Sequence, residues 1–292
     1  MYIAQATLRD SLIAKVAKLV EEDASVAEAG KEYLDTVNDG KLNAVATEKL
    51  VKALMASKNA LAKEILNDKD YLSKKSIWIF GGDGWTYDIG FGGLDHVIAS
   101  NVDVNVLVFD TEVYSNTGGQ ASKSTPTGAV AQFAASGKVV KKKDLAAIAM
   151  SYGYVYVAQV AMGADKNQCI KAFNEAESYH GPSLVIAYAP CINHGIKGGM
   201  GIAQDEEKKA VDTGYWHLFR FDPRLKDAGK NPFTLDSKAP TGEYKDFIMG
   251  EVRYNSLVKL FPDKAETLFD NAEKFAKEKY EHLLRLSKLY EA

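Results

Sequence analysis

The chain has 292 residues, of which 46% are hydrophobic and 26% are charged, a composition typical of a soluble globular protein with a full core. Its net charge of −3 excludes a strong positive field, so we expect neither nucleic acid nor an anionic membrane surface as a partner. The sequence has no apolar run of the roughly 20 residues that cross a bilayer and no signal-peptide pattern, which predicts a cytoplasmic protein.

The N-terminal quarter of the chain predicts a mainly helical region. Residues 2–6 predict a short strand, and the positions that follow carry apolar side chains at helical spacing, as at Leu12, Val16 and Leu19. We assign residues 1–74 to the helical first part of an α/β domain that extends to residue 203.

Beyond this region, strand and helix patterns alternate. Short apolar runs predict buried strands, of which the first is expected to be buried on both faces. The strands are predicted at residues 76–80, 104–109, 154–158 and 184–188, with helices near residues 93–100, 144–152 and 166–179. This alternation predicts an α/β fold with a mostly parallel sheet covered by helices on both faces. Ligands of such sheets bind beyond the carboxyl ends of the strands.

From residue 204 onward the chain becomes polar and rich in loops, and a helical pattern returns near residues 264–289. We therefore predict a C-terminal loop and helix extension over residues 204–292, packed on the core. The lysines at positions 138 and 141–143 predict a solvated loop or the start of a helix. They lack the interleaved aromatic residues of a protein that binds single-stranded nucleic acid.

Two polar loops follow the first two predicted strands. Asp83, with a glycine on each side, follows the first strand, and Thr111 to Asn116 follow the second. Glycine lets backbone amides approach a diphosphate closely. The Asp83 carboxylate, the Thr111 hydroxyl and a main-chain carbonyl near Val113 are the hard oxygen ligands that Mg²⁺ prefers. The sequence therefore predicts a site for Mg²⁺ and a diphosphate at this edge of the sheet.

Other motifs in the same region are weaker. The glycines at residues 90–93 lack the spacing of a nicotinamide-binding motif. Trp85 and Tyr87 stay open between packing and ligand contact, and His96 is predicted to be structural. A nucleophile pair of His194 with Cys191 is not expected, because no third orienting group is visible.

Longer segments resemble a known family. They are GGDGWTYDIGFGGLDHVIAS, NVLVFDTEVYSNTGGQASKSTPTG and GPSLVIAYAPCINHGIKGGM, which closely resemble the thiamine-diphosphate domain at the carboxyl end of pyruvate:ferredoxin (flavodoxin) oxidoreductases. The likeness runs from about residue 75 to the end of the chain. It implies a thiamine-diphosphate-binding fold that serves the oxidation of pyruvate with coenzyme A to acetyl-CoA, CO₂ and two low-potential electrons. In that family the electrons pass through iron–sulfur clusters to ferredoxin or flavodoxin.

The resemblance also implies roles for individual residues. Asp83, Thr111 and the Val113 carbonyl are expected to hold Mg²⁺, and Asn116 is expected near the reacting carbons as the catalytic residue. The implied cofactor-binding residues are Gly82, Asp83, Gly84, Trp85, Thr111, Glu112, Val113, Tyr114, Ser115 and Asn116. The protein then contributes orientation and electrostatics, while the cofactor carries the chemistry.

The chain departs from the family at the iron–sulfur cluster next to the cofactor. Four cysteines hold that cluster in the family, and only Cys191 matches one of them. The other cysteine, Cys169, lies in a helical pattern. Because a [4Fe–4S] cluster ordinarily takes four protein ligands, we expect no cluster in this chain and a free Cys191 within reach of solvent. The resemblance further implies amino-terminal domains, outside this sequence, that activate the cofactor and bind pyruvate.

Two alternatives stay open. One is a subunit of another 2-oxoacid:ferredoxin oxidoreductase, against which the long segment after residue 204 argues. The other is a non-catalytic cofactor-binding module or engineered scaffold. The sequence also leaves open whether the chain forms a homodimer.

Overall fold

The computed structural model describes residues 2–289. It divides into two compact units, of which the first ends at Ile77 and the second begins at Trp78. The domain boundary predicted at residue 203 falls inside the second unit and stays a prediction.

The first unit is a helical bundle with its own apolar core. Leu12, Val16 and Leu19 are buried in that core, as their helical spacing predicted. The strand predicted at residues 2–6 is wrong, because these residues form the first turns of the long first helix. Helical hydrogen bonds satisfy their backbone groups without a partner strand. The helices are α1 (Tyr2–Glu22), α2 (Ala27–Asp35), α3 (Gly40–Ala56) and α4 (Ala60–Asn67).

The second unit is built on a mixed sheet. Its strands are β1 (Trp78–Gly82), β2 (Asn105–Asp110), β5 (Tyr156–Val160), β6 (Ser183–Tyr188), β7 (Phe219–Phe221) and β8 (Phe233–Leu235), and the small hairpin is β3 (Val113–Tyr114) with β4 (Gln120–Ala121). Within residues 78–289 the main sheet has six strands in the order β1-β2-β6-β5-β7-β8. The first four in this order are parallel, and β7 and β8 are antiparallel. The predicted mostly parallel sheet is therefore confirmed.

Helices cover both faces of this sheet. The helices of this unit are α5 (Phe91–Ala99), α6 (Leu145–Met150), α7 (Lys166–Ser178), α8 (Ala203–Asp212), α9 (Arg224–Asp227), α10 (Tyr244–Ile248), α11 (Val252–Leu260) and α12 (Pro262–Ser287). Side chains alternate along β2, so that Val106 and Val108 pack in the cluster that contains α5, α6 and α12, whereas Leu107 packs in the cluster that contains α7. No helix within residues 2–289 combines the length and the apolar composition needed to cross a membrane.

Two sequence predictions about the sheet need correction. The first strand is not buried on both faces: β1 pairs with β2 at the edge of the sheet, and its Phe80 is 63% exposed. The segment after residue 204, predicted as loops and helices, contributes β7 and β8. These strands have three residues each, which is too short for an alternating pattern to stand out.

The strand register decides where the site lies. Gly82 pairs with Phe109, and Asp110 pairs with Tyr188. Since these strands are parallel, their carboxyl ends meet at one edge of the sheet. Asp83, Thr111 and the residues after Tyr188 therefore converge at this edge. The sequence predicted this for the loops of Asp83 and Thr111.

Candidate functional site

A group of oxygen atoms meets where β1 and β2 end. Thr111 Oγ1 lies 2.8 Å from Asp83 Oδ1 and 3.0 Å from the Val113 carbonyl oxygen. The Ser122 hydroxyl donates to Asp83 Oδ2 at 2.5 Å. We call these groups of Asp83, Thr111, Val113 and Ser122 the oxygen cluster. Thr111 has one hydroxyl proton for two acceptors, so the cluster has more acceptors than donors.

The charge of Asp83 is poorly compensated. Its side chain is 1% exposed, and burial, followed by the charge of Asp110, raises the pKa of Asp83 to about 7. Hydrogen bonds from Ser122 and Thr111 act in the opposite direction without cancelling these effects. A cation at this position would stabilise the ionised carboxylate.

The glycines around Asp83 have different structural reasons. A Cβ atom on Gly84 would stand 2.5 Å from the Tyr114 ring, so this glycine allows Tyr114 to pack closely. A Cβ on Gly81 would stand 2.1 Å from the Trp85 ring, which places Trp85 against the backbone. At Gly82 the nearest atom would be 3.9 Å away. The space in front of Gly82 is therefore open to a ligand.

The predicted residues after Thr111 surround the same cluster. Ser115 Oγ lies 2.8 Å from Thr111 Oγ1 and 3.1 Å from Cys191 Sγ. Asn116 is exposed in a 3₁₀ turn over Ser115–Thr117. The loop thus links the oxygen cluster to Cys191 on one side and presents Asn116 to solvent.

The expectation that Cys191 lies within reach of solvent is wrong. Cys191 is 8% exposed, the same fraction as Cys169. The Ser115 hydroxyl and the Asn193 backbone N–H both lie within hydrogen-bond distance of the Cys191 sulfur and cover it. His194 Nδ1 lies 3.5 Å from the Cys191 backbone nitrogen, and His194 Nε2 lies 2.7 Å from the Thr111 carbonyl oxygen and donates to it.

Glu112 belongs to a second buried cluster. Lys142 Nζ lies 2.8 Å from Glu112 Oε1, and Arg253 Nη2 lies 2.8 Å from Oε2. The Tyr215 hydroxyl donates to the same Oε2 at 2.5 Å, and Arg253 Nε also pairs with Glu251 at 2.6 Å. We call these five residues the Glu112 network. Both carboxylate oxygens of this predicted cofactor-binding residue are engaged by side chains of the protein itself.

The Glu112 network determines the ionisation state of the Glu112 carboxyl group. The side chain is 1% exposed, and burial alone would raise its pKa. Lys142 and Arg253 outweigh burial and lower the pKa of Glu112 to about 2. This carboxylate is therefore ionised at neutral pH, with its cations supplied by the chain.

The Glu112 backbone has an uncommon conformation. Its φ of +59° lies in the left-handed region, which costs a non-glycine residue roughly 1–2 kcal/mol. The Glu112 N–H donates to Asp110 Oδ1 at 3.2 Å, and the Thr125 hydroxyl donates to the Glu112 carbonyl at 2.5 Å. Contacts on both sides of the residue hold this turn in place.

Sequence reasoning missed several of these residues. Ser122, Lys142 and Arg253 reach the site from distant parts of the chain, and no local sequence motif indicates that they belong to it. Lys142 was predicted to lie in a solvated loop, but its side chain is 23% exposed and pairs with Asp110 as well as Glu112. One signal was available in the sequence. Asp110 and Glu112 are close together and follow an apolar strand, so they require cations from elsewhere in the chain.

The donor set of the oxygen cluster suits a hard metal ion. Carboxylate, hydroxyl and carbonyl oxygens are the ligands that Mg²⁺ takes, usually completed by phosphate and water. No group of three or more His, Cys, Asp or Glu side chains within residues 2–289 is placed to hold a metal ion. A metal at Asp83 would thus share the Thr111 and Val113 oxygens and complete its shell from a ligand.

Known proteins match this chain closely. Residues 56–187 match the thiamine pyrophosphate enzyme family at its C-terminal TPP binding domain. Pyruvate:ferredoxin oxidoreductase of Moorella thermoacetica is 55% identical over 98% of this chain. Pyruvate-flavodoxin oxidoreductases of Klebsiella pneumoniae and Enterobacter agglomerans are 52% and 64% identical over 96% and 75% of it.

These relatives are much longer than the chain, which spans 25%, 24% and 18% of their respective lengths. Residues 56–187 therefore match a C-terminal thiamine pyrophosphate-binding domain, and the chain is similar to part of the pyruvate:ferredoxin and pyruvate-flavodoxin oxidoreductases.

Proposed function

We propose that the oxygen cluster binds Mg²⁺ and, through it, the diphosphate of thiamine diphosphate. Asp83 supplies the charged ligand, and Thr111 Oγ1 and the Val113 carbonyl supply neutral ones. The single observation that carries this proposal is the approach of Thr111 Oγ1 to both the buried Asp83 carboxylate and the Val113 carbonyl. The open space at Gly82 leaves room for the diphosphate.

The remaining predicted contacts belong to the same proposal. Gly84, Trp85, Tyr114 and Ser115 form the walls of the site, and Asn116 faces the reacting carbons as the catalytic residue. Glu112 is the exception, since its carboxylate is occupied by Lys142 and Arg253. Its contribution to binding is made through the backbone.

We further propose that the whole protein oxidises pyruvate. Pyruvate and coenzyme A give acetyl-CoA, CO₂, a proton and two electrons, which pass to ferredoxin or flavodoxin through iron–sulfur clusters. When bound, thiamine diphosphate would supply the group that stabilises the electron pair left behind when CO₂ departs. The residues of this chain hold the metal, orient the diphosphate and exclude water with buried side chains around Asp83. Domains that correspond to the rest of the relatives' length supply the pyruvate site and the cluster ligands other than Cys191.

The assembly and its location are part of this proposal. The chain would act in the cytoplasm together with those domains, and a homodimer is one arrangement of the complete enzyme. We do not expect the chain alone to hold a [4Fe–4S] cluster, because Cys191 and Cys169 are its two cysteines and a cluster ordinarily needs four ligands.

Titration calorimetry tests the cofactor proposal. We expect thiamine diphosphate to bind in the presence of Mg²⁺ and to bind about tenfold or more weakly without it, because the metal bridges the diphosphate to Asp83. Thiamine, which lacks the diphosphate, is the matched ligand control and should not respond to Mg²⁺. Equal affinity with and without the metal would contradict the proposal.

Pyruvate-dependent reduction of an artificial electron acceptor tests the reaction. We expect none from the chain alone and recovery when a separately produced amino-terminal part of a relative is added. Failure of recovery with a correctly folded, cluster-containing partner would argue for the alternative of a non-catalytic binding module.

A further inference from the structure

The conformation of one residue sets the geometry of the oxygen cluster. Thr111 and Val113, which supply two of its oxygens, flank Glu112, whose φ is +59°. Residues other than glycine rarely adopt this conformation, and where they do, the surrounding structure must hold them there. Any relaxation of Glu112 would rotate the Val113 carbonyl relative to the Thr111 hydroxyl.

The Glu112 side chain provides that hold. Its two carboxylate oxygens are fixed by Lys142 at 2.8 Å, by Arg253 at 2.8 Å and by Tyr215 at 2.5 Å. Charge-assisted hydrogen bonds of this kind, made in a buried environment, fix a side chain in one place. None of these contacts involves Asp83.

The main chain is held from the other side. His194 donates to the Thr111 carbonyl, and Thr125 donates to the Glu112 carbonyl. Together with the bond from the Glu112 N–H to Asp110 Oδ1, these bonds hold the two peptide units, and the Glu112 side chain fixes the residue between them. Arg253, which is 141 positions from Glu112 in the sequence, thereby connects the start of α11 to the turn.

We propose that Glu112 is a positioning residue for the metal: its ion pairs with Lys142 and Arg253 hold the left-handed turn that directs the Thr111 hydroxyl and the Val113 carbonyl at Asp83. The inference rests on the proposed function, since the turn has this task only if the oxygen cluster binds Mg²⁺. Glu112 is not a metal ligand. The Glu112 network acts on metal affinity through the shape of the turn.

A purely structural role for Glu112 is the rival explanation, and the chain contains a matched control for it. Glu175 also pairs with an arginine, Arg220, at 2.7 Å and accepts a hydrogen bond from a tyrosine, Tyr156, at 2.9 Å. Arg220 has a second acid, Asp236, at 2.8 Å, as Arg253 has Glu251. Glu175 has no contact with the oxygen cluster among the bonds of the described residues.

The test compares Glu112→Gln with Glu175→Gln. Thiamine diphosphate is kept in excess, Mn²⁺ replaces Mg²⁺, and the free ion is counted by its electron paramagnetic resonance signal. We expect Glu112→Gln to bind Mn²⁺ about tenfold more weakly than the unaltered chain, because two neutral ligands leave their positions. Glu175→Gln should stay within about twofold, even where its thermal stability falls by the same amount.

The outcomes separate the two levels of the proposal. If the unaltered chain does not bind Mn²⁺ with thiamine diphosphate, the proposed function fails. If it binds, and Glu112→Gln binds equally well or both variants lose the same affinity, the positioning role is overturned. Should Glu112→Gln not fold, Arg253→Lys keeps the positive charge but lacks the forked geometry. We then expect Arg253→Lys to bind Mn²⁺ at least about threefold more weakly, and unchanged affinity would overturn the proposal.

Discussion

Two clusters of buried polar side chains meet at the Thr111 to Val113 turn, and they differ in charge balance. In the Glu112 network, the acids Glu112 and Glu251 are paired with Lys142 and Arg253, and the pKa of Glu112 is lowered to about 2. In the oxygen cluster, burial and the nearby Asp110 raise the pKa of Asp83 to about 7. The same kind of carboxylate is stabilised in one cluster and destabilised in the other.

The difference indicates which cluster contains its own counter-charges. A buried ion pair whose partners belong to the same chain is a structural element, since its charges are settled when the chain folds. A buried carboxylate beside another carboxylate is costly in the folded state, and such strain is found where a ligand supplies the missing charge. We therefore expect the Glu112 network to support the turn and the oxygen cluster to bind the ligand.

Breaking the balanced cluster should have the largest effect. Arg253→Met leaves Glu112 and Glu251 buried with one cation fewer, and loss of one partner of a buried ion pair costs about 3–5 kcal/mol. Urea unfolding followed by tryptophan fluorescence measures this, because Trp78, Trp85 and Trp216 all lie in the second unit.

Arg224→Met is the control for that measurement. The Arg224 side chain is 40% exposed and pairs with Asp222 at 2.7 Å, so its loss should cost less than about 1 kcal/mol. Equal costs for the two arginines would mean that the Glu112 network contributes no more than the pair made by the partly exposed Arg224.

His217 is a buried group with a lowered pKa, and it adds a third case to the comparison of the two carboxylate clusters. His217 is 3% exposed, and burial, followed by the charge of Lys279, lowers the pKa of His217 to about 4. Its Nε2 has no hydrogen-bond partner among the described residues. Between pH 6.5 and 4 the unfolded chain binds a proton at this position that the folded chain does not.

Stability should therefore fall as the pH decreases from about 6.5 towards 4, by up to about 3 kcal/mol from His217 alone. His217→Gln should remove this part of the pH dependence, measured as the difference in unfolding free energy between pH 7.5 and pH 4.5. His180→Gln, at a side chain that is 56% exposed, is the control. Identical pH dependence of His217→Gln and the unaltered chain would show that this histidine is not held neutral.

Removing the buried charge of Asp83 from the oxygen cluster should leave the free energy of unfolding almost unchanged while weakening Mg²⁺-dependent binding. Asp83→Asn keeps the shape of the side chain but removes one of two neighbouring carboxylates, so the metal-free chain should be as stable as before or slightly more stable. Its Mg²⁺-dependent affinity for thiamine diphosphate should fall by about tenfold or more, equivalent to about 1.4 kcal/mol or more. Asp95→Ala, at a half-buried aspartate on α5 that accepts a bond from Tyr152, is the control and should bind normally. A stable Asp83→Asn chain with unchanged affinity would remove Asp83 from the metal site.

The parallel part of the fold could be predicted from the sequence, because its signals are local. The strands β1, β2, β5 and β6 lie within two residues of the predicted runs, since buried parallel strands are continuous apolar segments. The meeting of Asp83 with Thr111 followed from the same reasoning. Both residues come directly after neighbouring parallel strands.

The support of the site could not be predicted, because its contacts join distant segments. Arg253 reaches Glu112 across 141 positions, and Lys142 lies in a run of lysines that does not distinguish it from its neighbours. An ion pair leaves no periodic pattern in the sequence. The first helix was mistaken at residues 2–6 for a related reason, since a short apolar run fits a strand or a helix until its neighbours are known.

The central claim is that Asp83, Thr111 and the Val113 carbonyl hold the metal while Glu112 holds the turn. A crystal structure of the chain with thiamine diphosphate and Mg²⁺ tests it most directly. We expect the ion at about 2.0–2.1 Å from an Asp83 carboxylate oxygen, Thr111 Oγ1 and the Val113 oxygen, with diphosphate oxygens in the same shell and Glu112 still paired with Lys142 and Arg253. An ion bound to the Glu112 carboxylate, or a diphosphate bound with Asp83 outside the metal shell, would contradict the account.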